Sequence, residues 1–208
     1  MRLILLLCLM LGANALSIAD DAPRVAKNAD DIKPLLIGQF APNVQVKTEF
    51  GGNVMLHSYI EKRPTVVIFY RGGWCPYCSR QLAGLIEVEQ RILDLGYQIL
   101  AISLDSPERL KAQQATQDFT LTRLSDMDLN ATLAFGLAYY VDDEMVEFIR
   151  GQRGAEVVTL AGESKVVLPV PAAYIIDTTG LVKFAYVNPN YQERINPHLL
   201  YQAARLSR

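Results

Sequence analysis

Two predominantly apolar runs constrain the fold of this chain more than any other feature: Thr65–Tyr70 (TVVIFY) and Tyr97–Leu104 (YQILAISL). β-Branched and aromatic residues without strict alternation are the pattern of strands buried on both faces. Between them, Leu82, Leu85, Val88, Ile92 and Leu95 recur at helical spacing, an apolar stripe down one face of a helix that starts near Cys75. A sheet whose strands are wet on neither side must be covered on both.

The flanking segments extend this α/β reading. Val44-Gln45-Val46 and Val54-Met55-Leu56 alternate around Gly51-Gly52, the signature of a β-hairpin. Ser106-Pro107-Glu108 opens a second helix, with Ser as cap and Pro in the first turn. Leu121 and Leu124 mark a short strand, and Asp126–Phe135 reads as a short helix that stops at Gly136. Ala172–Ile176 and Leu181–Val187 flank the turn residues Asp177–Gly180, a second hairpin. Asn196-Pro197 caps and begins a last helix. Residues 139–168 fit this pattern least and read as an insertion, helical over Asp143–Ile149 and loop or strand elsewhere. A short helix is expected near Val25–Ile32.

The N-terminus reads as a leader. Met1-Arg2, an apolar run from Leu3 to Leu11 and the ending Ala13-Asn14-Ala15 are the three parts of a secretory signal peptide. Residues 1–15 are therefore expected to be removed, with Ala19 as the alternative end, and the mature protein to be secreted or periplasmic. The apolar run falls short of the roughly 20 residues of a membrane span, so no permanent anchor is expected. Cys8 lies within the leader, which leaves two of the three cysteines, Cys75 and Cys78, in the mature chain. Net charge is −2 with Arg2 and −3 without it. So small a charge of mixed signs gives no footprint for nucleic acid.

The chemistry concentrates in Tyr70-Arg71-Gly72-Gly73-Trp74-Cys75-Pro76-Tyr77-Cys78. A Cys-x-x-Cys that follows a buried strand and opens a helix is in the context that makes it redox-active. The first cysteine meets the free N–H groups and positive dipole end of the helix, which stabilise a thiolate. The second lies one turn on, within disulfide reach. A zinc site would need about four ligands, and His57 and His198 stand at none of the usual spacings. A purely structural disulfide closing so short a loop would constrain the unfolded chain little. No cofactor and no metal are expected. Ser103, Ser125 and the two histidines form no nucleophile–base signature and read as surface or loop residues. Asp142-Asp143-Glu144 reads as a solvated helix start, and Tyr139, Tyr140 and Phe148 as packing residues.

With these residues in hand, the chain resembles the alkyl hydroperoxide reductase/thiol-specific antioxidant family of the thioredoxin-like superfamily. It is closest to the peroxiredoxin-like subgroup with Arg-Gly-Gly-Trp-Cys-Pro-Tyr-Cys. Ile37-Gly38-x-x-Ala41-Pro42, Ala101–Asp105, Ala134–Leu137 and Tyr174-Ile175-Ile176-Asp177-x-x-Gly180 carry the resemblance across residues 34–205. It implies a thioredoxin-like fold, a central mixed sheet with helices on both faces. In the family pattern Pro-x-x-x-Thr-x-x-Cys, the reactive Cys falls on Cys78, the Thr on Cys75 and the Pro on Arg71. The later peroxide-binding Arg falls at or beside Pro171. The resemblance to thioredoxin implies instead a cis-proline at Pro171 facing the disulfide (Pro169 being the neighbouring alternative) and a shielding role for Trp74.

The resulting expectation is a thiol–disulfide oxidoreductase. Cys75, the more exposed sulfur, attacks a disulfide, buried Cys78 resolves it, and Arg71, Trp74 and Pro171 position the substrate. The alternative is a thiol-dependent peroxidase with Cys78 peroxidatic and Cys75 resolving. Arg71 or Arg80 would then stand in for the missing cation. A third reading is a redox-inactive binding module. Expected partners are a thiol or disulfide protein, a small thiol, or a hydroperoxide.

Overall fold

The computed structural model describes residues 24–114, 120–152 and 155–207. Ten strands and six helices follow one another along the chain. They are β1 (Gln45–Thr48), β2 (Asn53–Met55), α1 (His57–Ile60), β3 (Thr65–Phe69), α2 (Pro76–Asp94), β4 (Gln98–Ser103), α3 (Pro107–Gln114) and β5 (Thr122–Ser125). Then come α4 (Asn130–Ala134), β6 (Ala138–Tyr140), α5 (Asp143–Arg150), β7 (Val158–Thr159), β8 (Val166–Pro169), β9 (Ala172–Ile176), β10 (Val182–Val187) and α6 (Pro197–Leu206). Seven strands form one sheet in the order β10-β9-β3-β4-β5-β1-β2. β3, β4 and β5 run parallel, while β9, β10, β1 and β2 pair antiparallel with their neighbours, so the sheet is mixed.

Strand β3 shows why its run is so apolar. Val66, Ile68 and Tyr70 pack on one face with Leu82, Leu85, Val88 and Ile92 of α2 and Leu200 of α6. Val67 and Phe69 pack on the other with Ile60, Ala131, Phe135 and Leu137. Each fully buried aliphatic or aromatic side chain contributes roughly 1.5–3 kcal/mol, so the sheet is stabilised from both faces at once.

The expected hairpins are present: Val46 pairs with Val54, and β9 pairs with β10 across the Asp177–Gly180 turn. Asn196 caps α6 through bonds from the His198 and Leu199 amides, with Pro197 in its first turn. Asp142 caps α5 by accepting from Met145 N–H at 2.7 Å, the solvated helix start expected there.

Two elements differ from expectation. Val25–Ile32 is no helix but a single 3-10 turn at Ala29–Asp31, with Ala26 bridged to Tyr139. Helix α4 starts four residues later than the pattern indicates, because Asp126 acts as its cap rather than its first residue. The 139–168 region is helical at α5 and strand or loop elsewhere, as expected; with Ala138 and Pro169 its strands build a second sheet, β6-β8-β7, whose core includes Leu104, Ile149, Val167 and Leu168. No helix among the described residues is long and apolar enough to cross a membrane. The leader, residues 1–15 with the alternative end at 19, and Cys8 lie outside the described residues.

Candidate active site

Strand β3 delivers Arg71 to Cys75 to the edge of the sheet, and α2 begins there. Gly72 adopts φ +144, and a Cβ on it would lie 2.6 Å from the Trp74 indole nitrogen, so only glycine fits the turn between strand and helix. Gly73 donates its N–H to Asp105 Oδ2 at 2.8 Å. The same oxygen accepts from Ser103 Oγ at 3.0 Å and Gln113 Nε2 at 2.8 Å. Burial pushes the Asp105 carboxyl up, and these three bonds oppose the shift. The carboxylate thus ties the loop to the end of β4.

Cys75 is the N-cap of α2, with no side-chain cap bond, and Pro76 fills the first turn. Cys78 sits one turn on, its N–H donating to Cys75 O at 3.0 Å. The Cys78 thiol and backbone also hydrogen-bond the Cys75 sulfur. The thiol bond from Cys78 is the largest influence on Cys75 and holds it below the ordinary thiol range. Burial opposes this, and the Cys78 backbone and the charges of Arg71 and Arg194 reinforce it. Burial pushes Cys78 well up, as does its bond to Cys75, while Arg194 pulls it back. The pair therefore parts with one proton readily and keeps the other.

Both cysteines are covered, Cys75 at 1% and Cys78 at 0% exposure. Cys75 is the less buried of the two, the order expected, but by a small margin: Trp74 and Tyr77 pack against the cluster that holds both. Arg71 is buried too, its guanidinium 5.2 Å from the Trp74 ring and 4.2 Å from that of Tyr191. Pro171 is buried one residue before Ala172, which pairs with Phe69, so it stands at the sheet edge from which the Cys75 loop departs. Its peptide bond is not cis; the described residues hold no cis bond, and the same holds for Pro169. The thioredoxin-based expectation fails because β8 runs on into β9 as extended chain. Val170 N–H bonds Leu137 O on one side of the Pro171 peptide, and Asn188 N–H bonds Pro171 O at 3.2 Å on the other.

The cation that sequence reasoning missed is Arg194. Its Nη2 lies 3.5 Å from Cys78 Sγ, although 116 residues separate them. Bonds from its Nη1 to the Tyr191 and Glu193 carbonyls fix the loop ahead of α6 that carries it. No spacing rule could flag it, since an isolated arginine in a polar loop has no local signature. Arg80 is exposed, its guanidinium 5.5 Å from the Tyr77 ring, and does not serve as that cation.

The remaining candidates lie apart from this chemistry or support it. Ser103 and Ser125 are not surface residues: they are buried and paired in register across β4 and β5, because both strands lie inside the sheet with a neighbour on each side. His57 Nε2 lies 2.8 Å from Ala41 O, and His198 is exposed opposite Glu87. Tyr139 packs in the second core, Tyr140 bonds Glu163, and Phe148 is exposed.

A seven-stranded mixed sheet with a Cys-x-x-Cys pair at the mouth of a helix defines a thiol-based oxidoreductase of the thioredoxin fold. The chain belongs to the AhpC/TSA family, which it matches over residues 37–185. It is 30% identical over 106 residues to peroxiredoxin Bcp of Escherichia coli K12, spanning 51% of this chain and 67% of that protein. Its fold is similar to that of peroxidoxin BcpB from Mycobacterium tuberculosis, with TM-score 0.63 and 17% identity over 83% of this chain and 97% of that one. Reduced Prx3 from Vibrio vulnificus, solved in complex with hydrogen peroxide, superposes with TM-score 0.64 at 22% identity, covering 82% and 99% of the two chains.

Proposed function

We propose that the protein is a thiol-dependent peroxidase in which Cys78 reacts with a hydroperoxide and Cys75 resolves the product. The observation that carries this reading is Arg194, which meets the Cys78 sulfur and supplies the cation that the Pro171 position lacks. Family membership and the similarity to peroxiredoxin Bcp point the same way.

At rest Cys75 is the sulfur that ionises and Cys78 holds the proton, so the reactive form is the one in which that proton crosses the hydrogen bond to Cys75 and leaves Cys78 as a thiolate beside Arg194. The thiolate attacks the outer oxygen of the hydroperoxide: an S–O bond forms, the O–O bond breaks, and the departing alkoxide takes a proton from solvent as the alcohol. Cys78 is then a sulfenic acid. The Cys75 thiol attacks its sulfur, water leaves, and the Cys75–Cys78 disulfide remains. Two external thiol groups return two electrons and two protons, the first forming a mixed disulfide and the second releasing it as the external disulfide. The Arg194 guanidinium stabilises charge as it develops on sulfur and oxygen.

A second reading, thiol–disulfide exchange with Cys75 as nucleophile, is favoured by one observation: Cys75 is the sulfur held below the ordinary thiol range. Replacing each cysteine separates the two. As a peroxidase, Cys75→Ser consumes one equivalent of hydroperoxide and accumulates a trappable sulfenic acid on Cys78, while Cys78→Ser is inert. As an exchange protein, Cys78→Ser traps disulfide substrates through Cys75, and Cys75→Ser does nothing faster than a free thiol. The leader pattern supports an export reading for either activity; sequencing the exported chain should find Leu16 or Asp20 first, and a retained Met1 would refute export by cleavage.

A further inference from the structure

Among the described residues, Arg71 is a buried charge without a counter-charge of its own. It is 1% exposed, and none of its three guanidinium nitrogens has a hydrogen-bond partner among the described residues. The buried carboxylate of this neighbourhood, Asp105, is already engaged by Gly73, Ser103 and Gln113. Two aromatic faces, Trp74 and Tyr191, offset part of the cost by cation–π attraction. They leave the in-plane N–H groups, the ones that match a carboxylate's two oxygens, unused.

The charge balance of the site has the same defect. Arg71 and Arg194 both act on the cysteine pair, and α2 presents its N-terminus there without a side-chain cap. Against these, the pair supplies one negative charge, because the second proton is retained. Arg194 Nε is likewise buried and unpartnered among the described residues. A group of this kind is stabilised by an anion arriving with a ligand.

Space for the rest of such a ligand lies next to it. A groove of about 890 Å³ runs between α5 and the small sheet, with Tyr139, Tyr191, Met145, Val146 and Lys165 among its walls. Its size suits an organic molecule rather than hydrogen peroxide alone. Tyr191 both lines this groove and stacks on the Arg71 guanidinium, and Tyr139, another groove wall, lies within the field of both Arg71 and Cys75.

We infer that Arg71 binds the carboxylate of an organic substrate that displaces the Tyr191 ring, lays its body in the Tyr139–Tyr191 groove and brings its reacting end to Cys75 and Cys78. The inference rests on the peroxidase reading only for what that reacting end is. Two sources share this chemistry: a carboxylate-bearing hydroperoxide as oxidant, or a carboxylate-bearing small thiol as reductant.

The test that does not depend on turnover is alkylation of the reduced, full-length protein by iodoacetate and by iodoacetamide, which differ in the carboxylate. The iodoacetate-to-iodoacetamide rate ratio should exceed that of the same chain unfolded in denaturant by about tenfold, the scale of a charge-assisted pair of hydrogen bonds. Propanoate should protect the folded protein against iodoacetamide. Arg71→Met should return the ratio to the unfolded value, because thiolate content affects both reagents alike and cancels. Exchanging an unpaired buried charge for an apolar side chain of similar length is tolerated by many folds. The wild-type ratio and the propanoate protection stand without that variant. A wild-type ratio equal to that of the unfolded chain, an elevated ratio unchanged in Arg71→Met, or sulfurs that neither reagent reaches would each overturn the inference.

The source is then read by stopped-flow mixing. A carboxylated hydroperoxide is compared with a neutral one of equal size for oxidation of the dithiol, and 3-mercaptopropanoate with 2-mercaptoethanol for reduction of the disulfide. Preference in the first arm assigns the oxidant and in the second the reductant, whereas preference in neither overturns the assignment to a substrate. A protein that reduces no hydroperoxide yet shows the alkylation preference has lost the peroxidase reading and kept this one.

Discussion

Arg194 and Arg71 divide the work of charge around two sulfurs that share one readily lost proton. Arg194 touches Cys78 directly, whereas Arg71 acts on Cys75 through its field alone, with its hydrogen bonds still to be made. Because Arg194 lowers both sulfurs, removing it moves the ionisation of the pair upward. Arg194→Met should therefore shift the pH dependence of alkylation to higher pH, leaving less thiolate at neutral pH. The rate with hydroperoxide should fall by about hundredfold to thousandfold, the range for losing one donor to a developing anion. Arg194→Lys should recover part of the pH shift. An unchanged alkylation profile in Arg194→Met would show that the guanidinium does not act on Cys78 in solution. Of these residues, the motif made Arg71, Trp74, Cys75 and Cys78 legible in advance. Arg194 and Tyr191 were not, since a loop far along the chain reaches the site only after α6 docks on α2.

Elements hold the site because their ends are anchored by buried polar groups. Asp126 shows this for α4: its Oδ1 accepts from Ala131 N–H at 2.8 Å and its Oδ2 from Thr132 N–H at 2.7 Å. Burial nevertheless dominates and pushes its carboxyl up to about 6, against those bonds. A folded value above the unfolded one near ~3.9 means the fold favours the protonated acid. Its contribution is fully present below about pH 4 and is lost as the pH rises through about 6. Asp126→Asn cannot ionise, so urea unfolding should show wild type losing about 2 kcal/mol relative to this variant between pH 4 and pH 7. A difference that stays constant with pH would place the Asp126 carboxyl at its ordinary value. The helix starts at Pro197 and Asp143 were legible because Asn196 and Asp142 cap locally. The start of α4 was not, since Asp126 reaches forward from the end of β5 to amides five and six residues on.

At the scale of the whole molecule, both sulfurs lie on one turn of one helix, inside a core continuous with the sheet. The redox cycle can then close within a single chain. Oxidation by a small excess of peroxide or diamide should yield an intramolecular Cys75–Cys78 disulfide, seen as a monomer on non-reducing electrophoresis and as a cross-linked peptide after digestion. Covalent dimers as the main product would show that Cys78 meets a sulfur of another chain first. The small sheet, β6-β8-β7, gives the molecule its second feature, a groove beside the site that a thioredoxin-like core alone would not provide.

The sequence by itself determined the α/β class with its doubly covered sheet, the hairpins, the strand-to-helix turn and the cysteine pair. Each is written in neighbouring residues: an apolar run, a two-glycine turn, a cap, a three-residue spacing. Tertiary structure alone decided what surrounds the sulfurs. Continuous extension from β8 into β9 left the Pro171 bond trans, against the thioredoxin pattern, and packing of Trp74 and Tyr77 covered Cys75. Docking of the last loop brought Arg194 to Cys78 and Tyr191 to Arg71. Charge and burial act through space across long separations in the chain, and no local pattern records which distant side chain will arrive.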